Sequence, residues 1–261
     1  MVTRDTPWEP GTPCWVELMT NDLASARLFY EELFGWHLEE TGPDTGGYLL
    51  ASVEGRTLGG LGPIMAEMDH PPVWGTYLAT ADANATAEAI TAAGGTIVAP
   101  VMAVMDVGTM AVAQDATGAA FSIWQAGTNT GMQIANVPNT PTWNELLTRD
   151  FARAQEFYAA VFGWTYDDLS SGDFQYATFN VNGRAVGGIG SMPPEVPDRV
   201  PPHWRVYFQV EDPDEIVDRV VKLGGNVINP PEDTPYGRMA HVTDPQGAPF
   251  SVIKGQSPDE Q

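Results

Sequence analysis

The chain has 261 residues, 43% hydrophobic and 10% aromatic, enough for two domains with buried cores and too apolar for a disordered chain. Its formal charge of −22, with Lys222 and Lys254 as the only lysines, leaves no basic surface for nucleic acid or an anionic membrane. The lone Cys14 excludes an intramolecular disulfide and a thiolate metal cluster, and no run approaches the ~18 apolar residues of a membrane span.

Residues 1–12, rich in Pro, Gly and Thr and lacking an apolar leader segment, are expected to form a loose N-terminal arm on a cytoplasmic protein. Residues 13–20 read as a strand, with Trp15, Glu17 and Met19 on one face and Val16 and Leu18 on the other. Asn21 or Asp22 stands where a helix N-cap belongs. Leu23, Ala26, Phe29, Tyr30, Leu33 and Phe34 follow at helical spacing, and Gly35 ends the helix as a C′ glycine. Three short strands, at 36–40, 48–53 and 57–61, complete a β-α-β-β-β unit. After a connector from Pro63 to Pro72 the pattern restarts, with a strand at 73–80, a helix at 83–93 closed by Gly94-Gly95, and strands at 96–105, 109–114 and 119–125.

The chain then repeats itself. Phe29-Tyr30-Glu31-Glu32-Leu33-Phe34-Gly35-Trp36 recurs 128 residues later as Phe157-Tyr158-Ala159-Ala160-Val161-Phe162-Gly163-Trp164. At the same offset Trp143 and Glu145 match Trp15 and Glu17, Tyr176 matches Tyr48, and G-R-x-x-G-G recurs at Gly55 and Gly183. Beyond the second connector the offset is 130, pairing Trp204 and Tyr207 with Trp74 and Tyr77. Asp115-Ala116-Thr117-Gly118 and Asp244-Pro245-Gln246-Gly247 pair at 129. A repeat whose offset drifts only at connectors is a tandem duplication. The expected organisation is a first domain at 13–126 (units 13–62 and 73–126), a linker at 127–138, a second domain at 139–255 (units 140–191 and 203–255) and a tail at 256–261.

The Asp22-Leu23, Phe29-Tyr30, Phe34-Gly35-Trp36 and Asp244-Pro245-Gln246-Gly247 segments resemble the vicinal oxygen chelate superfamily, which includes glyoxalase I, extradiol dioxygenases and bleomycin-resistance proteins, and within it tandem proteins of actinomycete type. The resemblance implies an α+β fold of four βαβββ units in two tandem domains, each a curled mixed sheet forming a cup with its helices outside. Metal-dependent members place ligands on the first strands of the units, on a fourth strand and on the final strand. Those places hold Trp15, Gly75, Gly59-Gly60 and Ser122 in the first half, and Trp143, Arg205, Gly187-Gly188 and Ser251 in the second. None is a group a divalent ion prefers, so neither metal nor cofactor is expected. His37, His70, His203 and His241 fall outside these places and read as surface or pocket-rim residues. A metal site of another kind, built from His70 or His203 with Glu17 or Glu145, is the alternative.

Strand alternation and the implied cup together point Trp15, Glu17, Met19, Gly75, Tyr77, Ser122 and Trp124 into the first cup. They point Trp143, Glu145, Leu147, Arg205, Tyr207, Ser251 and Ile253 into the second. Aromatic walls with a few polar groups suit a flat apolar ligand; the same aromatics can instead fill the cup as core. Glu145 facing Arg205 reads as a structural ion pair, a ligand anchor or an acid/base pair. Glu17 has no arginine opposite and is the candidate general base. The expected function is metal-independent binding of an aromatic or polycyclic small molecule, as antibiotic-binding relatives do, by a monomer or homodimer. The alternatives are a cofactor-free tailoring enzyme of isomerase, cyclase or hydroxylase type using Glu17 or Glu145, and a metal-dependent glyoxalase or dioxygenase.

Overall fold

A computed structural model describes residues 2–42, 45–65 and 70–255; the tail expected at 256–261 lies outside the described residues. The first half runs β1 (Val2–Thr3), β2 (Pro13–Thr20), α1 (Leu23–Phe34), β3 (His37–Glu40), β4 (Leu49–Val53), β5 (Arg56–Pro63), β6 (Val73–Thr80), α2 (Ala83–Ala92), β7 (Thr96–Val104), β8 (Gly108–Gln114) and β9 (Ala120–Ala126). After β10 (Ile134–Ala135) the second half follows with β11 (Pro141–Thr148), α3 (Phe151–Phe162), β12 (Thr165–Asp168), β13 (Tyr176–Val181), β14 (Arg184–Ser191), β15 (His203–Gln209), α4 (Pro213–Lys222), β16 (Asn226–Thr234), β17 (Gly237–Thr243) and β18 (Pro249–Gly255).

The fold is α+β. Each half is one curled, mixed eight-stranded sheet, in the order β3-β4-β5-β2-β6-β9-β8-β7 and then β12-β13-β14-β11-β15-β18-β17-β16. The two units of a half meet at the antiparallel pair β2/β6 or β11/β15, and each unit closes with a parallel pair, β2/β5 and β6/β9 in the first half. Helix ends follow local chemistry. The Asp22 side chain accepts the backbone N–H of Ser25 at the start of α1, and Gly35 takes φ 70 at its end, a left-handed conformation that glycine adopts without steric cost. Asp150 and Gly163 repeat both features on α3.

The helices lie outside the cups, as expected, on the sheet faces turned away from them; one expectation is corrected, in that the halves do not bury separate cores. One core joins α1 and the apolar face of β2, through Val16, Leu18, Phe29, Tyr30 and Phe34, to Phe208, Ile216, Val217, Val220 and Phe250 of the last unit. The other joins the second unit to the third, around Ile90, Phe121, Phe157, Tyr158 and Trp164. The sheets therefore stand back to back with the buried faces of the helices at the seam, and Thr76 on β6 donates a buried hydrogen bond (2.8 Å) to Asn144 on β11 across it. The reason is geometric: each half packs its helices on one face of its sheet, and the apolar surface left there is covered by the other half.

The repeated sequence motifs hold this seam. Tyr30 of the first half donates to the buried Asp244 of the second (3.2 Å), and Tyr158 of the second donates to Asp115 of the first (3.0 Å). Each tyrosine oxygen also accepts an indole N–H, from Trp74 and Trp204 respectively. Trp36 reaches the Asn139 carbonyl (2.7 Å) and Trp164 the Gly11 carbonyl (2.9 Å), again in equivalent places. The N-terminal arm is accordingly not loose. β1 pairs with β10, Trp8 donates to the Met132 carbonyl, and Gly11 backs onto Trp164.

Candidate functional site

The sheet face opposite the shared core carries the same constellation twice. In the first cup β2 presents Trp15, Glu17 and Met19, because alternate residues of a strand share a face. Tyr77 on β6 donates its hydroxyl to Glu17 Oε2 at 2.6 Å. Tyr48, just before β4, engages the same carboxylate and accepts the Trp15 indole N–H at 3.2 Å. Ser122 on β9 stands opposite Tyr77 in the β6/β9 register, and Trp124 stands edge-on to Tyr77. Leu50, Val104, Val107 and Met110 extend the apolar wall.

In the second cup Tyr207 donates to Glu145 Oε2 at 2.9 Å, Tyr176 engages Glu145, and the Trp143 indole donates to Tyr176 at 3.3 Å. Here two further groups enter. Arg205 stands 4.0 Å from Glu145 Oε2 and 3.3 Å from His241 Nε2, and His241 Nδ1 lies 2.7 Å from Ser251 Oγ. Arginine is a donor only, so His241 Nε2 accepts from it and the ring proton sits on Nδ1, facing Ser251. His203 also lies on this face, opposite Leu147 in the β11/β15 register, with Nδ1 2.9 Å from the Pro201 carbonyl.

Burial raises the pKa of Glu17, opposed by hydrogen bonds from Tyr77 and Tyr48. Burial also raises that of Glu145, against the Arg205 charge and the Tyr207 and Tyr176 bonds. Either carboxyl can thus hold or release a proton beside two phenols. Burial first, and Arg205 second, push His241 down to about 3. A group whose folded pKa lies below its ordinary value of 6.5 stabilises the fold above that pH and loses the contribution as pH falls toward 3. Wild type should therefore lose more unfolding free energy over that interval than His241→Val, as measured by urea denaturation; equal acid sensitivity would refute the neutral, arginine-bound ring.

The residues expected from strand alternation share these two faces, and the structure joins Glu17 to Tyr77 and Glu145 to Tyr207 and Arg205. Three site residues were not foreseen as such. Tyr48 and Tyr176 were visible only as a matched pair in the repeat. His241 is part-buried on the cup face beside Arg205; it had no signal as a site residue, since its counterpart is Val112, which pairs with Ser122 as His241 pairs with Ser251.

The side chains do not suit a divalent metal. Among the described residues no three His, Cys, Asp or Glu side chains converge. The two carboxylates are engaged by phenols, and in the second cup a guanidinium stands where a metal ion would be repelled. His70 is exposed, bonded to the Pro71 carbonyl. A separate concavity of about 360 Å³ at the seam is lined by Thr117, Thr148, Arg149 and Arg153, but both arginines are engaged with backbone carbonyls.

The chain matches the Glyoxalase/Bleomycin resistance protein/Dioxygenase superfamily over residues 14–123 and 134–252. It is 38% identical to "Putative glyoxylase CFP32" of Mycobacterium tuberculosis, over 96% of this chain and 97% of that protein. It is 35% identical to the anthracycline biosynthesis protein DnrV of Streptomyces peucetius, over 95% of each chain. Among solved structures, the Mn(II)-bound glyoxalase of Novosphingobium aromaticivorans superposes with a TM-score of 0.66 at 16% identity, covering 94% of this chain and 82% of that one, a likeness of fold. Among the described residues no helix is long and apolar enough to cross a membrane.

Proposed function

Because the chain belongs to the glyoxalase/bleomycin resistance protein/dioxygenase superfamily, whose fold does not by itself fix an activity, we propose that it binds a planar aromatic or polycyclic small molecule, without a metal ion, in its cups. The observation that carries this reading is the duplicated Trp–Tyr–Glu–Tyr arrangement on the face each sheet turns away from the core. The rings around each carboxyl, part-exposed at Tyr48 and Trp143 and largely buried at Trp15, Tyr77 and Trp124, offer flat apolar area, and a carboxyl among phenols offers the few polar contacts that orient a ligand. The 35% identity to a protein named for anthracycline biosynthesis supports the same ligand class, since anthracyclines are fused-ring aromatics.

Titrating tryptophan emission with a panel of flat polycyclic compounds tests the reading. Trp15, Trp124 and Trp143 line the cups, whereas Trp36, Trp74, Trp164 and Trp204 are enclosed in the shared cores. The expected result is saturable, partial quenching. No change across the panel would count against binding, and stoichiometric metal surviving dialysis would count against its metal independence.

A further inference from the structure

The two cups are copies that differ in charge. The central strands pair Glu145 with Arg205 in the second cup and Glu17 with Gly75 in the first. One row further, His241 faces Ser251 where Val112 faces Ser122. The second cup thus fills the space before its carboxylate with its own cation and a bound imidazole. In the first, a Cβ added at Gly75 would meet only the Glu17 carbonyl oxygen, at 3.7 Å, with open space around it. None of the ion pairs among the described residues involves Glu17.

We propose that the first cup is the working site and that its ligand is a planar aromatic bearing a cationic amine, the amine pairing with Glu17 where Arg205 pairs with Glu145. This deepens the proposed function and rests on it. Among the described residues the groups facing Glu17 are neutral: the Tyr77 and Tyr48 phenols from β6 and the β4 side, Trp15 on its own strand, and Gly60 and Gly75. A half-buried carboxylate with only neutral donors retains an unmet demand for positive charge, which burial sharpens. Met19, Leu50, Met110 and Trp124 beside it supply the apolar surface for a ring system. The net charge of −22 raises the local concentration of cations and opposes anionic competitors.

The test is isothermal titration calorimetry at neutral pH with 9-aminoacridine, a cationic planar ring, and acridine, its neutral counterpart. The wild type is expected to bind one 9-aminoacridine per chain, about tenfold or more tighter than acridine. Glu17→Gln should abolish that preference while acridine binding persists. Gly75→Arg supplies the missing cation in an open space and should displace 9-aminoacridine, which keeps the proposal testable if Glu17→Gln fails to fold. Equal affinity for the two rings, two equivalents per chain, or unaltered 9-aminoacridine binding in Gly75→Arg would overturn the inference and leave aromatic binding standing. Failure of the wild type to bind either ring would overturn the inference, and failure across the wider polycyclic panel would remove the proposed function as well.

Discussion

Asp244→Ala should lower the unfolding free energy of the whole chain by about 3 kcal/mol or more, and should loosen α1 in the opposite half as much as α4 in its own. The carboxylate is fully buried and accepts the Tyr30 hydroxyl at 3.2 Å and the Gln246 and Ala248 backbone N–H groups, both at 2.9 Å. Truncation strands three donors where water does not reach. Tyr30→Phe removes one partner and should cost about 1 kcal/mol. Chemical denaturation gives the energies, and native-state hydrogen exchange gives their location. Because Tyr30 lies in the core that also contains Ile216, Val217 and Phe250, the amides of α1 should lose protection together with those of α4. Loss confined to the second half would refute a shared core.

That prediction depends on a fact the residue pattern does not contain. Leu18, Phe29, Tyr30 and Phe34 announce which faces of β2 and α1 are apolar, and Asp22 and Gly35 announce where α1 begins and ends, since capping and φ preference are local. The repeat announces two copies of the unit pair. Nothing in periodicity says what covers an apolar face, so each half was expected to bury its own core and not to share two cores with the other. The arm failed for the same reason: Trp8 and Gly11 are anchored by Met132 and Trp164, more than a hundred residues away. The site was legible where alternation sufficed, as for Trp15, Glu17, Trp143 and Glu145. It was not legible for Tyr48, which lies outside its strand and reaches the carboxylate by its length, nor for His241, whose role depends on Arg205 from another strand of the same unit.

Gly60→Ala should cost ligand affinity about tenfold while changing stability by only about 1 kcal/mol, and its neighbour Gly59→Ala should do the reverse. The two residues share one G-R-x-x-G-G motif but meet different neighbours. A Cβ at Gly59 would lie 2.7 Å from the Val16 carbonyl oxygen, a backbone atom of β2 that cannot yield without moving the strand; Gly187 stands likewise against Asn144. At Gly60 a methyl group would fall on the hydroxyl end of Tyr48, and at Gly188 on that of Tyr176. The free end of a half-buried side chain can swing aside at small cost. In doing so Tyr48 leaves both Glu17 and the Trp15 indole, and the carboxylate keeps Tyr77 alone. Titration calorimetry with a bound aromatic and urea unfolding, run on both variants, read the two effects separately. If Gly59→Ala and Gly60→Ala shift affinity and stability in the same proportion, Tyr48 is packing and not part of the site; if they part as expected, the second glycine is present because the ring must lie flat across the strand to bring its hydroxyl to Glu17.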